Sequence, residues 1–415
     1  MGVVLLTALA GCGNAPPGRY SAAGATAGVT PSAVEVGGLA AVTGPLGSKY
    51  SPVFAGAQVY FDMVNAAGGV HGRRIRLIAT LDDQTDPSTD VAQARSLVEH
   101  YKVFAVVPVA TPSFQGGSYL AQQQVPTFGY DINTQWYPAP TMFGQDGSYQ
   151  DPSAVDVSGP FLAKELGLRR VAILSYSIAQ SAQCARGQAK SFRQFGFKVV
   201  LVDDSIPIGV TDALLVGDVS RIASGRAQLI VMCMDAPGNT RVSESLKRAG
   251  LNHVAQYWLS GYDQASLEAF KSQYEGVYLT TSFVPFQEAS VSPGLRTYLA
   301  QMRRRGYGQD IGEVSLAGWI SAAMFTEGLR RAGRNLTRQR LVAAVNSLTA
   351  FTSDDIEPVV NWRIDHTGPG PFNCSAWLQV RGGRFVPVFH QPFVCIPTSA
   401  RSGDQLVNRN GWSGS

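Results

Sequence analysis

The chain has 415 residues, 45 % of them apolar and only 15 % charged, which describes packed globular protein and excludes a disordered or fibrous one. That length exceeds one ordinary core, so two domains of about 150 residues or more are expected. A formal charge of +4 is small for this size, and no basic tract interleaves with aromatic residues, which argues against a nucleic-acid partner.

Residues 3–10 are an apolar run far too short to span a bilayer, and it ends in Leu9-Ala10-Gly11-Cys12, small residues before a cysteine. This resembles a bacterial lipobox. Residues 1–12 thus read as a lipoprotein signal peptide with its lipobox cysteine, and the resemblance implies cleavage before Cys12 and lipidation of Cys12, anchoring the chain in the periplasm or on the outer face of a membrane. No Lys or Arg precedes the run, so the expected translation start lies upstream of Met1; the alternative is a buried N-terminal strand. Residues 13–33, rich in Gly, Ala, Pro and Ser, cannot bury enough surface to order themselves and read as a flexible tether.

Residues 34–42 have the length and apolar character of one buried strand and break at Thr43-Gly44-Pro45. From Pro52, the positions Phe54, Ala57, Phe61 and Val64 recur at three and four, the spacing of one apolar helix stripe, and Gly68-Gly69 supplies the left-handed residue that ends helices. A second strand is expected over 74–81, before Asp82-Asp83. Strand, helix and strand of these lengths require parallel strands with a right-handed crossover, and ligands collect beyond the carboxyl ends of such strands.

Asp86-Pro87 predicts a helix start, the Asp accepting from free amides and Pro taking the first helical position. The acids Asp82, Asp83 and Asp86 lack the Gly-turned loop and distal Glu of a calcium site. Strands are expected at 104–109 and 125–130. Thr111-Pro112-Ser113 precedes a helix between them, and Asp131, Asn133 and Trp136-Tyr137 follow the second. A further alternating series, with strands at 171–174, 199–202, 229–234, 257–260 and 277–281, predicts a second parallel sheet; Gly196 and Gly250 fall where helices should end. Helices are expected at 295–304, 316–331 and 338–348, and the chain closes on strand-like runs at 374–380 and 385–396 joined by Gly382-Gly383.

With Cys12 lipidated, Cys184, Cys233, Cys374 and Cys395 form an even set in an exported chain and allow three pairings. A cross-strand bond between Cys374 and Cys395 suits the two terminal runs, which leaves Cys184 with Cys233; four buried thiols are the alternative. No two cysteines have Cys-x-x-Cys spacing, so no metal site is expected.

Thr43-Gly44-Pro45, Gly56-Ala57, Asn65-Ala66-Ala67-Gly68-Gly69-Val70-His71-Gly72-Arg73 and Asp82-Asp83-Gln84-Thr85-Asp86-Pro87 resemble the opening of the type I periplasmic binding proteins of branched-chain amino acid and amide transporters. The similarity in pattern runs from about residue 34 to about residue 397. It implies an α/β fold of two Rossmann-like lobes with parallel sheets, joined by three crossovers. The first lobe would comprise 34–153 plus 283–348 and the second 154–282 plus 349–398, with a disordered tail at 399–415.

Catalytic signatures are missing: there is no Gly-x-Ser-x-Gly, Ser-x-x-Lys, His-Glu-x-x-His or phosphate loop, and the five histidines lack metal spacing. Neither an enzyme nor a cofactor is expected. Binding needs a dry cleft with a few placed donors and acceptors. Thr111 and Ser113, a hydroxyl pair before a helix, suit a carboxylate or other anionic oxygen, and on the family pattern Thr111 falls at the ligand-carboxylate position. Asp131 and Asn133 fall at the next contact loop. An Asp there departs from the amino-acid binders and would pair with a ligand amine or cation, or repel a carboxylate. The family's Tyr-Gly-x-Gly is replaced by Cys184-Ala185-Arg186-Gly187, which removes a stacking tyrosine and leaves residues 176–183 to provide substitutes. Asp235, Tyr262 and Asp263 fall at the remaining contact loops, Asp263 as the partner of a ligand ammonium, and Tyr50 would close the pocket from above. The alternative is helix capping for Thr111 and Ser113, a turn acid for Asp131, and a solvated loop position for Asp235, Tyr262, Asp263 and Tyr50.

The resemblance thus implies an extracytoplasmic, lipid-anchored solute-binding protein handing a small polar ligand, such as an amino acid or amide, to ABC permease subunits. Departures at three contact positions predict a ligand other than leucine, isoleucine or valine. A sensory receptor of the same fold and, from another class, a hydrolase are the alternatives.

Overall fold

The computed structural model describes residues 27–44, 49–137, 139–148, 155–367 and 370–409. Cys12, most of the expected tether and the last residues of the expected tail lie outside them. The first five strands are β1 (Ala33–Ala40), β2 (Arg74–Asp82), β3 (Ala105–Ala110), β4 (Thr127–Gly129) and β5 (Met142–Gly144). They form an all-parallel sheet in the order β2-β1-β3-β4-β5. β3 is buried at every position, as expected of a central strand covered on both faces.

Helix Pro52–Ala66 follows β1 and buries Val53, Ala57, Phe61 and Val64. It crosses helix Glu313–Ala332 at backbone contact. A Cβ on Gly56 would lie 1.7 Å from the Ser315 carbonyl oxygen, and one on Gly318 2.0 Å from that of Val53. Helix Glu313–Ala332 comes from far along the chain yet belongs to the first lobe's core, with Trp319, Met324 and Phe325 buried. This is why its apolar positions are not confined to one stripe.

The second sheet comprises β6 (Arg170–Tyr176), β7 (Lys198–Ile206), β8 (Leu229–Cys233), β9 (Ala255–Trp258), β10 (Tyr278–Thr281), β11 (Phe372–Arg381), β12 (Arg384–Pro387) and β13 (Val394–Pro397). The order is β12-β11-β10-β9-β8-β6-β7, with β13 also on β11. Five strands are parallel, as expected. β11 runs antiparallel to β10, β12 and β13, so this sheet is mixed rather than parallel throughout. The expected strand at 385–396 is two strands, because Pro387 ends β12 and Pro392 interrupts the chain before β13. Cys374 and Cys395 face each other in the β11–β13 register and are bonded; Cys184 is bonded to Cys233.

Three segments depart from the expected boundaries. Residues 349–366, which the family resemblance implied for the second lobe, pack on the first. Trp362 lies edge-on to Phe143 at 5.1 Å between centroids, and His366 meets the Ser148 hydroxyl at 3.0 Å. The buried Trp362 anchors this segment, so the last crossing falls after it. The end of the expected tether is docked: the Glu35 amide donates to the Gly28 carbonyl at 2.7 Å, and Arg73 donates to that of Thr30 at 2.9 Å. The start of the expected disordered tail is also packed. Leu406 is fully buried and its carbonyl accepts from Lys164, because that leucine completes the second lobe's apolar core.

Candidate functional site

In both lobes the loops after the parallel strands face the gap between them, the arrangement that parallel topology dictates. Lys49 and Tyr50 follow β1, Asp83 follows β2, Thr111 and Ser113 follow β3, and Asp131 and Asn133 follow β4. From the second lobe, Asp235 follows β8 and Tyr262 with Asp263 follow β9.

Among the described residues one ion pair spans the gap. Lys49 Nζ lies 3.0 Å from Asp235 Oδ2, while Asp235 Oδ1 accepts from the Tyr176 hydroxyl at 2.7 Å and caps helix Ala236–Arg248 through the Gly238 amide at 3.0 Å. Burial works to raise the Asp235 carboxyl, but the Lys49 charge and the hydrogen bonds outweigh it and hold it below the usual carboxylate range. Tyr50 lies 6.5 Å from Tyr130, ring to ring. Burial first, then the charges of Asp235, Glu313 and Asp83, push its phenol up. The Tyr130 hydroxyl donates to Glu313 Oε1 at 2.8 Å.

Thr111 is buried, and its hydroxyl accepts from the Ser113 amide at 3.2 Å and lies against Asp83. Its carbonyl accepts from Asn133 Nδ2 at 3.0 Å, so these predicted residues brace one another's loops. Behind them sits a buried pair of acids. Asp83 and Asp90 are both fully buried, and Asp90 Oδ1 accepts from the Gly116 amide at 2.5 Å.

A cavity of about 1060 Å³ opens between the lobes. Its first-lobe wall carries Asp131, Asp146, Glu313 and Asp365; its second-lobe wall carries Asp156, Gln188, Tyr257 and the Cys184–Cys233 bond through Cys184. Asp131 is 8 % exposed, and its Oδ1 has no hydrogen-bond partner among the described residues. Burial, followed by the neighbouring Asp146, pushes its carboxyl well up. Gly144 beds it: a Cβ there would fall 2.2 Å from Asp131 Cγ. Glu313 is raised to about 7, by burial first and then against the Tyr130 hydrogen bond. Asp365 is raised to about 6 by burial, although the Ser148 amide donates to it. Among the described residues no group of three or more His, Cys, Asp or Glu side chains is placed to hold a metal ion.

Two predicted residues are turned to other work. The Tyr262 hydroxyl donates to Gln287 and accepts from the Phe286 amide, both at 2.7 Å, and its ring packs 4.7 Å from Phe385, so it staples the second crossover. Asp263, the expected ammonium partner, is exposed and caps helix Gln264–Ala269 through Ser266. Its charge reaches Glu313 across the gap, but of the predicted ligand residues only Asp131 lines the cavity; Tyr50, Thr111, Ser113, Asn133, Asp235, Tyr262 and Asp263 do not. Sequence reasoning missed Asp146, Glu313 and Asp365. Glu313 had a signal, as the first-turn acid of a long apolar helix; Asp146 and Asp365 are joined only by the docking of residues 349–366.

Two α/β lobes whose strand ends face each other across a cavity lined from both sides define a two-lobed ligand-binding protein. Residues 33–384 match the model of the periplasmic binding protein family, and the chain belongs to that family. Solved structures share the fold. A branched-chain amino acid ABC transporter protein from Thermus thermophilus with bound valine has 20 % identity and a TM-score of 0.72, over 87 % of this chain and 96 % of that one. A fatty acid ABC transporter substrate-binding protein from Thermomonospora curvata has 18 % identity and a TM-score of 0.70, over 87 % and 92 %. A solute binding protein of an ABC transporter from R. palustris in complex with benzoate has 15 % identity and a TM-score of 0.70, over 86 % and 95 %. No curated protein matches the sequence.

Proposed function

We propose that the chain is the extracytoplasmic substrate-binding protein of an ABC transporter, holding one small ligand between its lobes and presenting the closed form to permease subunits. The cavity carries the reading: it is walled by both lobes and holds a buried acceptor, Asp131 Oδ1, that no described residue satisfies. Ligand contacts made from both sides favour the closed arrangement, so ligand shifts the lobe equilibrium by its extra affinity for that state. Asp131 is the first-lobe ligand contact in this reading. Ser113, Asn133 and Tyr50 shape the loops beside it, and Asp235 sets the closed geometry through Lys49.

Membership of the family supports an exported location, and the Leu9-Ala10-Gly11-Cys12 string supports lipid anchoring at Cys12. No helix among the described residues is long and apolar enough to cross a membrane. The neighbours with valine, a fatty acid protein's name and benzoate show that the fold alone does not select a ligand. The test is a thermal-shift screen of small solutes, followed by X-ray scattering with the best hit. A decrease in radius of gyration and recovery of the hit unchanged are expected; conversion of the hit would make the protein an enzyme and overturn the reading.

A further inference from the structure

We propose that the interlobe cavity takes an organic cation on an apolar body, an amine, amidine or guanidine with no free carboxylate. This rests on the solute-binding reading and names its ligand class. The ionisable side chains lining the cavity among the described residues are Asp131, Asp146, Asp156, Glu313 and Asp365 against Arg401 alone. Arg401 Nη1 is already engaged, donating to the carbonyls of Thr398 and Ala400 at 2.9 and 2.8 Å. A ligand carboxylate would therefore meet acids on both walls and, as the one cationic side chain lining the cavity among the described residues, a guanidinium part-committed to backbone carbonyls through Nη1.

The second observation is the unsatisfied acceptor. A buried oxygen without a donor is destabilising, and Asp131 Oδ1 lies in the wall of a cavity large enough to admit a donor-bearing ligand. A metal ion does not fit the same role, because the acids are spread along the wall rather than converging.

The third is the rim. Val359, Ile364 and Phe372 are 55 %, 40 % and 40 % exposed and belong to the small set of large apolar side chains left in water; all three line this cavity. Buried acid and exposed apolar rim together match a molecule with a charged head and a greasy body. The titration behaviour agrees. Glu313 faces Tyr130, Tyr50, Tyr262, Asp146 and Asp263, and Asp365 faces Asp131, Asp146 and Ser148. A cation would draw these two carboxyls and that of Asp131 to their ionised forms, so binding releases protons and tightens as pH rises, for Asp365 and Glu313 through about 6 to 7.

The test uses the full chain and matched probes titrated calorimetrically: benzylamine against benzoate, octylamine against octanoate, with valine as the zwitterion. At least one amine should bind tenfold or more tighter than its carboxylate counterpart, and Asp131→Asn should weaken that amine tenfold or more. Should Asp131→Asn fail to fold, Glu313→Gln is to show the same loss together with reduced proton release. Absence of binding by both amines, or tighter binding of benzoate, octanoate or valine, overturns the inference. Those anionic or zwitterionic hits, if recovered intact, would leave the solute-binding reading standing. Chemical conversion of a bound probe would overturn the solute-binding reading instead.

Discussion

Replacing Asp90 by Asn isolates the buried acid pair behind the ligand loops. Asp90 is fully buried in helix Pro87–Glu99, accepts from the Gly116 amide and faces Asp83. Burial raises its carboxyl from 3.8 to about 8, with the Gly116 hydrogen bond opposing and the Asp83 charge adding. The folded value lies above the unfolded one, so the native state binds more protons. The associated stability is complete below about pH 4 and is lost as pH rises to about 8, at about 1.4 kcal/mol per unit. Between roughly pH 5 and pH 7 the wild type should therefore lose about 3 kcal/mol from this group. Asn keeps an oxygen for Gly116 and offers an N–H to Asp83, whose Oδ2 lacks a partner, without any titration. Urea unfolding of both proteins across this range should show the variant's advantage growing by about 2–3 kcal/mol with pH. A stability difference that stays constant with pH, or shrinks as pH rises, would refute the placement of the proton on Asp90.

Gly56→Ala and Gly318→Ala should each destabilise by at least about 3 kcal/mol in thermal melts, since the new Cβ meets backbone that cannot step aside; a loss below about 1 kcal/mol would mean the helix pair has slack. Removing the Cys184–Cys233 bond, which closes a separation of 49 residues, should cost about 4 kcal/mol, and removing Cys374–Cys395, with 21, about 3 kcal/mol. Titration of the denatured, unreduced protein should find none of these four thiols, and a full thiol count would contradict both bonds. Lys49→Ala removes a partly exposed interlobe pair worth up to about 1 kcal/mol, enough to shift the lobe equilibrium about fivefold. Scattering of the ligand-free variant should show a larger radius, and an unchanged radius would show that the pair does not hold the lobes together.

Local physics was legible where the chain speaks locally. The strand–helix–strand opening was expected at 34–42, from Pro52, and at 74–81, and is observed at Ala33–Ala40, Pro52–Ala66 and Arg74–Asp82, because apolar spacing, Pro at the helix start and Gly68-Gly69 all agree. The capping signal at Asp86 was equally plain, and its side chain accepts the Thr89 amide; Asp235, expected as a ligand contact, also proves to cap a helix. The mixed second sheet was not legible, because nothing in the apolar run of β11 distinguishes an antiparallel neighbour from a parallel one. The site was legible only in part. Asp131 stood out as an acid on a contact loop. Its companions Asp146, Glu313 and Asp365 lie up to 234 positions away from it; Glu313 is brought in by helix Glu313–Ala332 and Asp365 by the docking of Trp362, which no local spacing announces.

That docking divides labour between the two halves. Because residues 349–366 ride with the first half, Val359, Ile364 and all but one of the cavity-lining acids belong to a single rigid body. A solute can then be recognised on the gaping form before the far half arrives, and selectivity is settled at capture. The far half, bearing Asp156, Tyr257 and Phe372, acts as the gate that governs departure, so substitutions there should alter dwell time more than choice of guest.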